Sequence, residues 1–264
     1  MQLIDIGANL THDSFDRDRQ DVIQRALDVG VGRMILTGAS AQGSKDAVAL
    51  AKSQPGLMFA TAGVHPHHAA DYSASVHELL SELTSDELVV AVGECGLDYF
   101  RNFSPRDAQR YAFERQLDIA VETQLPLFLH QRDAHEDFIE ILEPRLGDLS
   151  QAVAHCFTGD EEHLRKYIDL DLHIGITGWI CDERRGAHLK EIVHLIPDDR
   201  LMLETDAPYL LPRSLRPKPS SRRNEPAFLP EVLRVVADAR GQSMDELARL
   251  TTATATRFFG LPVP

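Results

Sequence analysis

The residues of this chain that could do chemistry recur in one kind of place, at the end of a short apolar run. Asp5 stands in the first such run, which leads to Asn9. Gly63-Val64-His65-Pro66-His67 follows the third run, and Gly93-Glu94-Cys95-Gly96-Leu97-Asp98 the fourth. Leu129-His130 closes the fifth, Val153-Ala154-His155-Cys156 the sixth, and Leu203-Glu204-Thr205-Asp206 the eighth. A lone histidine in such a position is most often a hydrogen-bonded polar residue and nothing more. Histidines and carboxylates at equivalent ends of at least five runs point further. Imidazole nitrogen and carboxylate oxygen together suit zinc, manganese or magnesium.

Short strands must position these groups. Strand cores are expected near residues 3–7, 33–38, 58–63, 88–93, 126–130, 152–155, 172–177 and 201–205. They are mostly Val, Ile, Leu, Ala and Phe, as strands buried on both faces are. Amphipathic segments lie between them. Ser104-Pro105 reads as N-cap and first helical residue, ahead of an apolar stripe of Phe113, Leu117, Ala120 and Val121. Thr158 and Glu161 form a capping-box pattern before Leu164, Tyr167 and Ile168. Leu229, Val232, Leu233, Val236 and Ala237 give the cleanest stripe, stopped by Gly241. Ser243 and Glu246 cap a last helix that ends by Gly260.

Strand–helix alternation implies parallel strands joined by right-handed crossovers. Eight such units in 264 residues predict one α/β domain over 1–264, a (β/α)8 TIM-type barrel with its site at the C-terminal ends of the strands. An open doubly wound sheet is the other arrangement, but Gly7-Ala8-Asn9 is not a glycine-rich phosphate loop.

Hydrophobic residues make up 43% of the chain and charged residues 26%, an ordinary globular balance. No apolar run reaches the roughly 18 residues that span a bilayer. The N-terminus, Met1-Gln2-Leu3-Ile4-Asp5, has no basic stretch, so no signal peptide is expected. Cys95, Cys156 and Cys181 form an odd set without Cys-x-x-Cys spacing. That predicts neither a disulfide framework nor a thiolate zinc site, and fits reduced thiols in a cytoplasmic protein.

A net charge of −14 repels polyanions at long range, so a nucleic-acid substrate would need a local basic patch. One exists. Residues 213–223 hold Arg213, Arg216, Lys218, Arg222 and Arg223 and no acid, within the irregular stretch 207–227 beside Asp206. Arg101, Arg132, Arg184 and Arg185 fall in other strand-end loops. Guanidinium forks match phosphate oxygens, which makes Arg101, Arg132, Arg222 and Arg223 the candidate phosphate binders. Tyr99, Phe100, Phe103, Trp179 and Tyr209 share these loops and could stack on bases. Alternation along the strands turns Glu94 and His155 into the barrel mouth and Cys95 and Cys156 outward toward helices. Glu204 and Asp206 share a face. His67 and His68 read most simply as solvated loop residues. His12, His77, His135, His163, His173, His188 and His194 mostly fall on helices, as surface residues.

Together, GVHPH (63–67), GECGLD (93–98), LH (129–130), HCFTG (155–159), IGITGW (174–179) and ETDAPYL with PKPSSRRNEP (204–226) resemble the TatD family of metal-dependent deoxyribonucleases. CDERRG (181–186) and RNFS (101–104) resemble its bacterial members, and the likeness spans essentially the whole chain. The resemblance implies a TIM-type barrel and 3′-5′ removal of nucleotides from single-stranded DNA or RNA. It implies magnesium as the usual ion, with manganese or zinc as alternatives. By motif, Glu94, His130, His155 and Asp206 match the family's metal-site residues, and His65 matches a histidine near the scissile phosphate. Many members carry His-x-His after the first strand, where this chain has Gly7 and Asn9. That departure leaves one tight ion, or a weaker second one recruited with substrate.

On this reading Asp206 and His65 are the catalytic groups: Asp206 orients or deprotonates the attacking water and His65 serves the leaving oxygen. No obligate protein partner is evident. An amidohydrolase-type enzyme acting on a small amide, lactone or nucleobase would share barrel and ligand set. No lysine ends a strand, however, to support a carbamylated-lysine centre. A non-enzymatic metal-binding or scaffold module would not need acids and histidines converging beside a basic loop.

Overall fold

A computed structural model describes residues 2–262; Met1, Val263 and Pro264, at the outer bounds of the expected domain, lie outside the described residues. Its strands are β1 (Leu3–Ala8), β2 (Val31–Leu36), β3 (Met58–Ala62), β4 (Val89–Asp98), β5 (Leu127–Arg132), β6 (Ala152–Ala154), β7 (His173–Ile176) and β8 (Leu201–Leu203). Its helices are α1 (Arg19–Asp28), α2 (Ala41–Ser53), α3 (Ala74–Leu83), α4 (Arg106–Thr123), α5 (His135–Leu142), α6 (Glu161–Asp169), α7 (Ala187–Ile192), α8 (Leu229–Arg240) and α9 (Met244–Phe258). The strands pair in sequence order, each with the next in parallel. A bridge between Ala8 and Ala207 brings the sheet back upon itself. This is the expected TIM-type barrel. No helix of the described residues is long and apolar enough to cross a membrane.

Strand periodicity sorts the apolar residues into two layers. Ile4, Ile6, Ile35, Phe59, Phe128, Val153 and Met202 fill the barrel, and Phe258 and Phe259 join them from the end of α9. Their neighbours Leu127, Leu129, Ala152, Ala154, Leu201 and Leu203 face the helices. Continuing the inward set by two residues toward the strands' C-terminal ends gives His130 after Phe128, His155 after Val153 and Glu204 after Met202. The polar site is thus the next layer of the same stack.

β4 departs from this regularity and runs beyond its expected end at 93. Gly93 and Gly96 have φ of 138° and 137°, backbone open in practice only to glycine. The register against β5 shifts between Gly93 and Cys95, a bulge that re-aims the strand around Glu94.

Two helix starts differ from expectation. Pro105, not Ser104, occupies the N-cap of α4. The Ser104 hydroxyl instead donates to the His67 carbonyl and accepts from Ala70 N–H, both at 3.0 Å. In α6 the cap is Asp160, accepting from His163 N–H, because Thr158 lies too far upstream. Ser243 caps α9, and Gly241 stops α8 in a left-handed conformation (φ 66°), both as expected. His173 is not a surface residue. It begins β7 and is buried against Phe258, their ring centroids 4.7 Å apart.

Candidate metal centre

A cavity of about 620 Å³ opens at the C-terminal end of the barrel. His65, Glu94, His130, His155 and Asp206 line it together with Arg101, Phe103, Arg132, Trp179, Arg185 and Tyr209. The five predicted metal and catalytic residues therefore share one space.

Glu94 is at the centre. Its Oε1 lies 2.7 Å from His155 Nε2, 3.0 Å from His130 Nδ1 and 3.3 Å from His65 Nε2. Glu94 and His155 are each only 6% exposed. A lone buried carboxylate would be costly, and the surrounding imidazoles offset that cost. Burial by itself would raise the Glu94 carboxyl, but the charge of His155 and the hydrogen bonds from His130 and His155 outweigh it and hold the group well below the usual carboxylate range. His155 shifts the opposite way. Burial disfavours its charged form, yet Glu94 and Glu204 push its pKa well above the ordinary value. Burial keeps His65 neutral. Its Nδ1 accepts from His67 N–H at 3.0 Å, so its proton sits on Nε2, facing Glu94.

The donor set fits a divalent cation. Ligand atoms of Glu94 and His130 lie within 4.8 Å of each other and of a ring nitrogen of His65, whose Nε2 carries the proton. His130 Nε2 is buried without a well-formed partner, with Asp98 Oδ2 lying 3.5 Å away. Mixed imidazole and carboxylate donors of this kind accept zinc, manganese or magnesium.

Asp206 lines the cavity but is tied to Asn9, whose amide donates to its Oδ1 at 3.0 Å. Burial, with Glu94 and Glu204 adding negative charge, pushes its pKa up to about 7. Below it, Asp5 is fully buried and accepts from Thr205 N–H at 2.9 Å and Thr205 Oγ at 2.5 Å, joining β1 to the segment after β8.

Other strand-end groups pack beside these five. Glu204 is fully buried; its Oε2 lies 3.2 Å from His155 Nδ1 and its Oε1 accepts from Cys156 N–H. Its signal was a pair of facing glycines. A Cβ on Gly7 or on Gly175 would come within 2.5 Å of a Glu204 carboxylate oxygen. At Gly7 and Gly175 the missing side chains leave room for the Glu204 carboxylate. His67 is not simply solvated, since its Nε2 lies 2.8 Å from Asp98 Oδ2. Asp98 thereby joins the site. Cys95 is buried among outward-facing residues as expected, but Cys156 lines the cavity. Beyond the end of β6 its φ is 47°, and strand alternation no longer governs where it points.

The arginines divide. Arg101, Arg132 and Arg185 line the cavity. The Arg132 guanidinium stacks 3.9 Å from the Phe100 ring centroid, and Arg185 stacks 4.3 Å from that of Trp179. Arg222 and Arg223, expected to bind phosphate, are not among the lining residues. Arg222 is exposed, while Arg223 pairs with Asp18 at 2.6 Å and Glu225 at 2.9 Å. Fold pairing, which composition does not reveal, has taken up its charge.

A family model described as TatD related DNase matches residues 4–260. A protein of Erwinia amylovora named 3'-5' ssDNA/RNA exonuclease TatD is 53% identical over 259 residues, covering 98% of this chain and 100% of that protein. A solved structure of a TatD homolog from Escherichia coli aligns with a TM-score of 0.89 at 27% identity, covering 98% of each chain. A lactonase from Listeria monocytogenes shares the fold alone, with a TM-score of 0.65 at 14% identity over 99% of this chain and 95% of that one. The motifs, the barrel and these matches agree, and the chain belongs to the family of TatD-related DNases.

Proposed function

We propose that this chain is, over its whole length, a single-domain metal-dependent exonuclease that removes nucleotides from the 3′ end of single-stranded DNA and RNA. The observation that carries the proposal is the Glu94 carboxylate, with nitrogens of His65, His130 and His155 within 3.3 Å, at the floor of a cavity lined by arginines and aromatic rings. The name of the Erwinia amylovora relative supports the substrate and polarity.

Glu94, His130, His155 and Asp206 would hold the ion. When bound, a divalent ion supplies Lewis-acid polarisation of a phosphoryl oxygen and lowers the pKa of bound water. Magnesium is the proposed working ion, from family resemblance, and the imidazole-rich donor set also admits manganese or zinc. One ion is proposed: Gly7 brings no imidazole and the Asn9 amide is committed to Asp206.

The chain's own groups do the rest. Asp206 orients the attacking water and accepts its proton. His65, neutral with its proton on Nε2, donates a hydrogen bond to the leaving oxygen. Arg101 and Arg132 neutralise backbone phosphates at the cavity wall. Phe103 and Tyr209 are 67% and 51% exposed beside that wall, and their faces can receive bases that are free of a complementary strand. This is a physical reason for single-stranded substrates.

The test is a product ladder from end-labelled single-stranded DNA and RNA with Mg²⁺, Mn²⁺, Zn²⁺ or chelator. Stepwise shortening from the 3′ end, abolished by chelator and restored by metal, is expected. A ladder that persists in chelator, or hydrolysis of small lactones or amides with oligonucleotides left intact, would overturn the proposal.

A further inference from the structure

Two fully buried glutamines on one face of α4 hold backbone, not side chains. Gln116 accepts from Val64 N–H at 2.7 Å and donates to Val64 C=O at 3.1 Å and to Ala112 C=O at 3.0 Å. Gln109 accepts from Asp98 N–H at 2.8 Å and donates to Asp98 C=O at 3.2 Å and to Ser104 C=O at 2.8 Å. They are 0% and 1% exposed. Seven residues is about two helical turns, so both point the same way. Each amide uses its oxygen and both hydrogens, and each grips both polar groups of one residue as a neighbouring strand would.

The gripped residues are informative. β3 ends at Ala62, so the chain carrying His65 has left the sheet when it reaches the cavity. It is held piece by piece instead. Ser44 Oγ meets Gly63 N–H and C=O, each at 3.1 Å, Gln116 takes Val64, and His65 N–H donates to the Ala39 carbonyl at 2.9 Å. Asp98 is the last residue of β4, and its carboxylate meets His67 at 2.8 Å and faces His130 Nε2 at 3.5 Å.

We infer that Gln109 and Gln116 are positioning residues for the metal centre: α4 clamps the backbone at Val64 and Asp98, and so aims His65 toward Glu94 and holds the Asp98 carboxylate against His67 and His130. This rests on the metal reading above and extends it to residues that touch neither cation nor substrate. Buried polar groups with every hydrogen bond made are rigid, and a shift of an ångström is enough to weaken coordination or catalysis.

The test measures Mn²⁺ binding to the metal-free full chain by the EPR signal of free Mn²⁺, alongside thermal midpoint. Gln109→Leu and Gln116→Leu remove the clamps. Gln109→Met and Gln116→Met keep an unbranched chain of similar length without the amide, and they carry the test if the leucine variants fail to fold. Leu117→Ala, in the core on the same helix, is the stability control. The Mn²⁺ dissociation constant is expected to rise roughly 10- to 100-fold in the glutamine variants, the range seen when groups supporting metal ligands are lost. The methionine forms should lose as much as the leucine forms. Leu117→Ala should lower the thermal midpoint and leave Mn²⁺ affinity unchanged. Glutamine variants that lose thermal stability yet bind Mn²⁺ like the unsubstituted chain would overturn the inference alone. Failure of the unsubstituted chain to bind Mn²⁺ would overturn the metal reading and this inference with it.

Discussion

Each end of the barrel buries histidine, and His155 and His173 do so in opposite company. At the C-terminal end, His155 lies between Glu94 and Glu204, and the two carboxylates outweigh burial to favour the charged imidazole. At the N-terminal end, His173 lies against Phe258 with its Nδ1 unpartnered. Burial dominates there, with Arg200 adding to it, and pulls the pKa down to about 4. Both histidines are 6% exposed, so depth alone cannot explain the contrast. The carboxylates do. One end is held together by charge and can exchange protons for a cation. The other is an apolar plug whose histidine must stay neutral.

The sharpest way to break this comparison is to remove one group from each end. Glu94→Ala and His155→Ala, assayed for DNA hydrolysis at saturating Mg²⁺ or Mn²⁺, are expected to lose on the order of 10³-fold in turnover, the scale of one preorganised electrostatic group. Near-normal turnover in both would reject the ligand assignment. Phe258→Ala should instead cost about 3–5 kcal/mol of unfolding free energy in a denaturant titration, with turnover per folded molecule unchanged.

The next effect is a pH dependence confined to the plug. His173 titrates near 6.5 when unfolded and at about 4 when folded. As pH falls from 6.5 toward 4, the unfolded chain takes up a proton that the folded chain refuses, so stability is lost across that window; above 6.5 it contributes no slope. The loss is on the order of 3 kcal/mol. His173→Gln should remove that part of the acid sensitivity, read as the difference between the two stability–pH curves. Parallel curves would show that His173 is accessible to protons in the folded state.

The smallest effect separates the arginines. Arg132→Ala should weaken oligonucleotide binding roughly tenfold and lower the slope of log affinity against log salt by about 0.7, one phosphate contact on a single strand. Arg223→Ala, whose charge is already paired with Asp18 and Glu225, should leave the slope unchanged while lowering stability. The reverse pattern would return the 213–223 loop to the substrate path.

Much of the site was legible because a barrel maps strand ends onto one mouth. His130 and His155 follow Phe128 and Val153 by two residues, and that period can be read without coordinates. Gln109 and Gln116 were not legible. Polar residues on an amphipathic helix are assigned to solvent by default, and only the nearby ends of β3 and β4 explain why these two turn inward. Cys156 was misplaced because its left-handed backbone breaks the alternation. Arg223 was misjudged because its partner Asp18 is 205 residues away.

By itself, the sequence determined the strand–helix alternation, the barrel it implies, and the residue types gathered at the strand ends, since these follow from local periodicity and composition. Tertiary structure alone decided which charges neutralise one another, where Glu204 lies between Gly7 and Gly175, and which helix grips the backbone beside the histidines. Those outcomes depend on distances between segments remote in the chain, and burial sets their sign only once the barrel has brought them together.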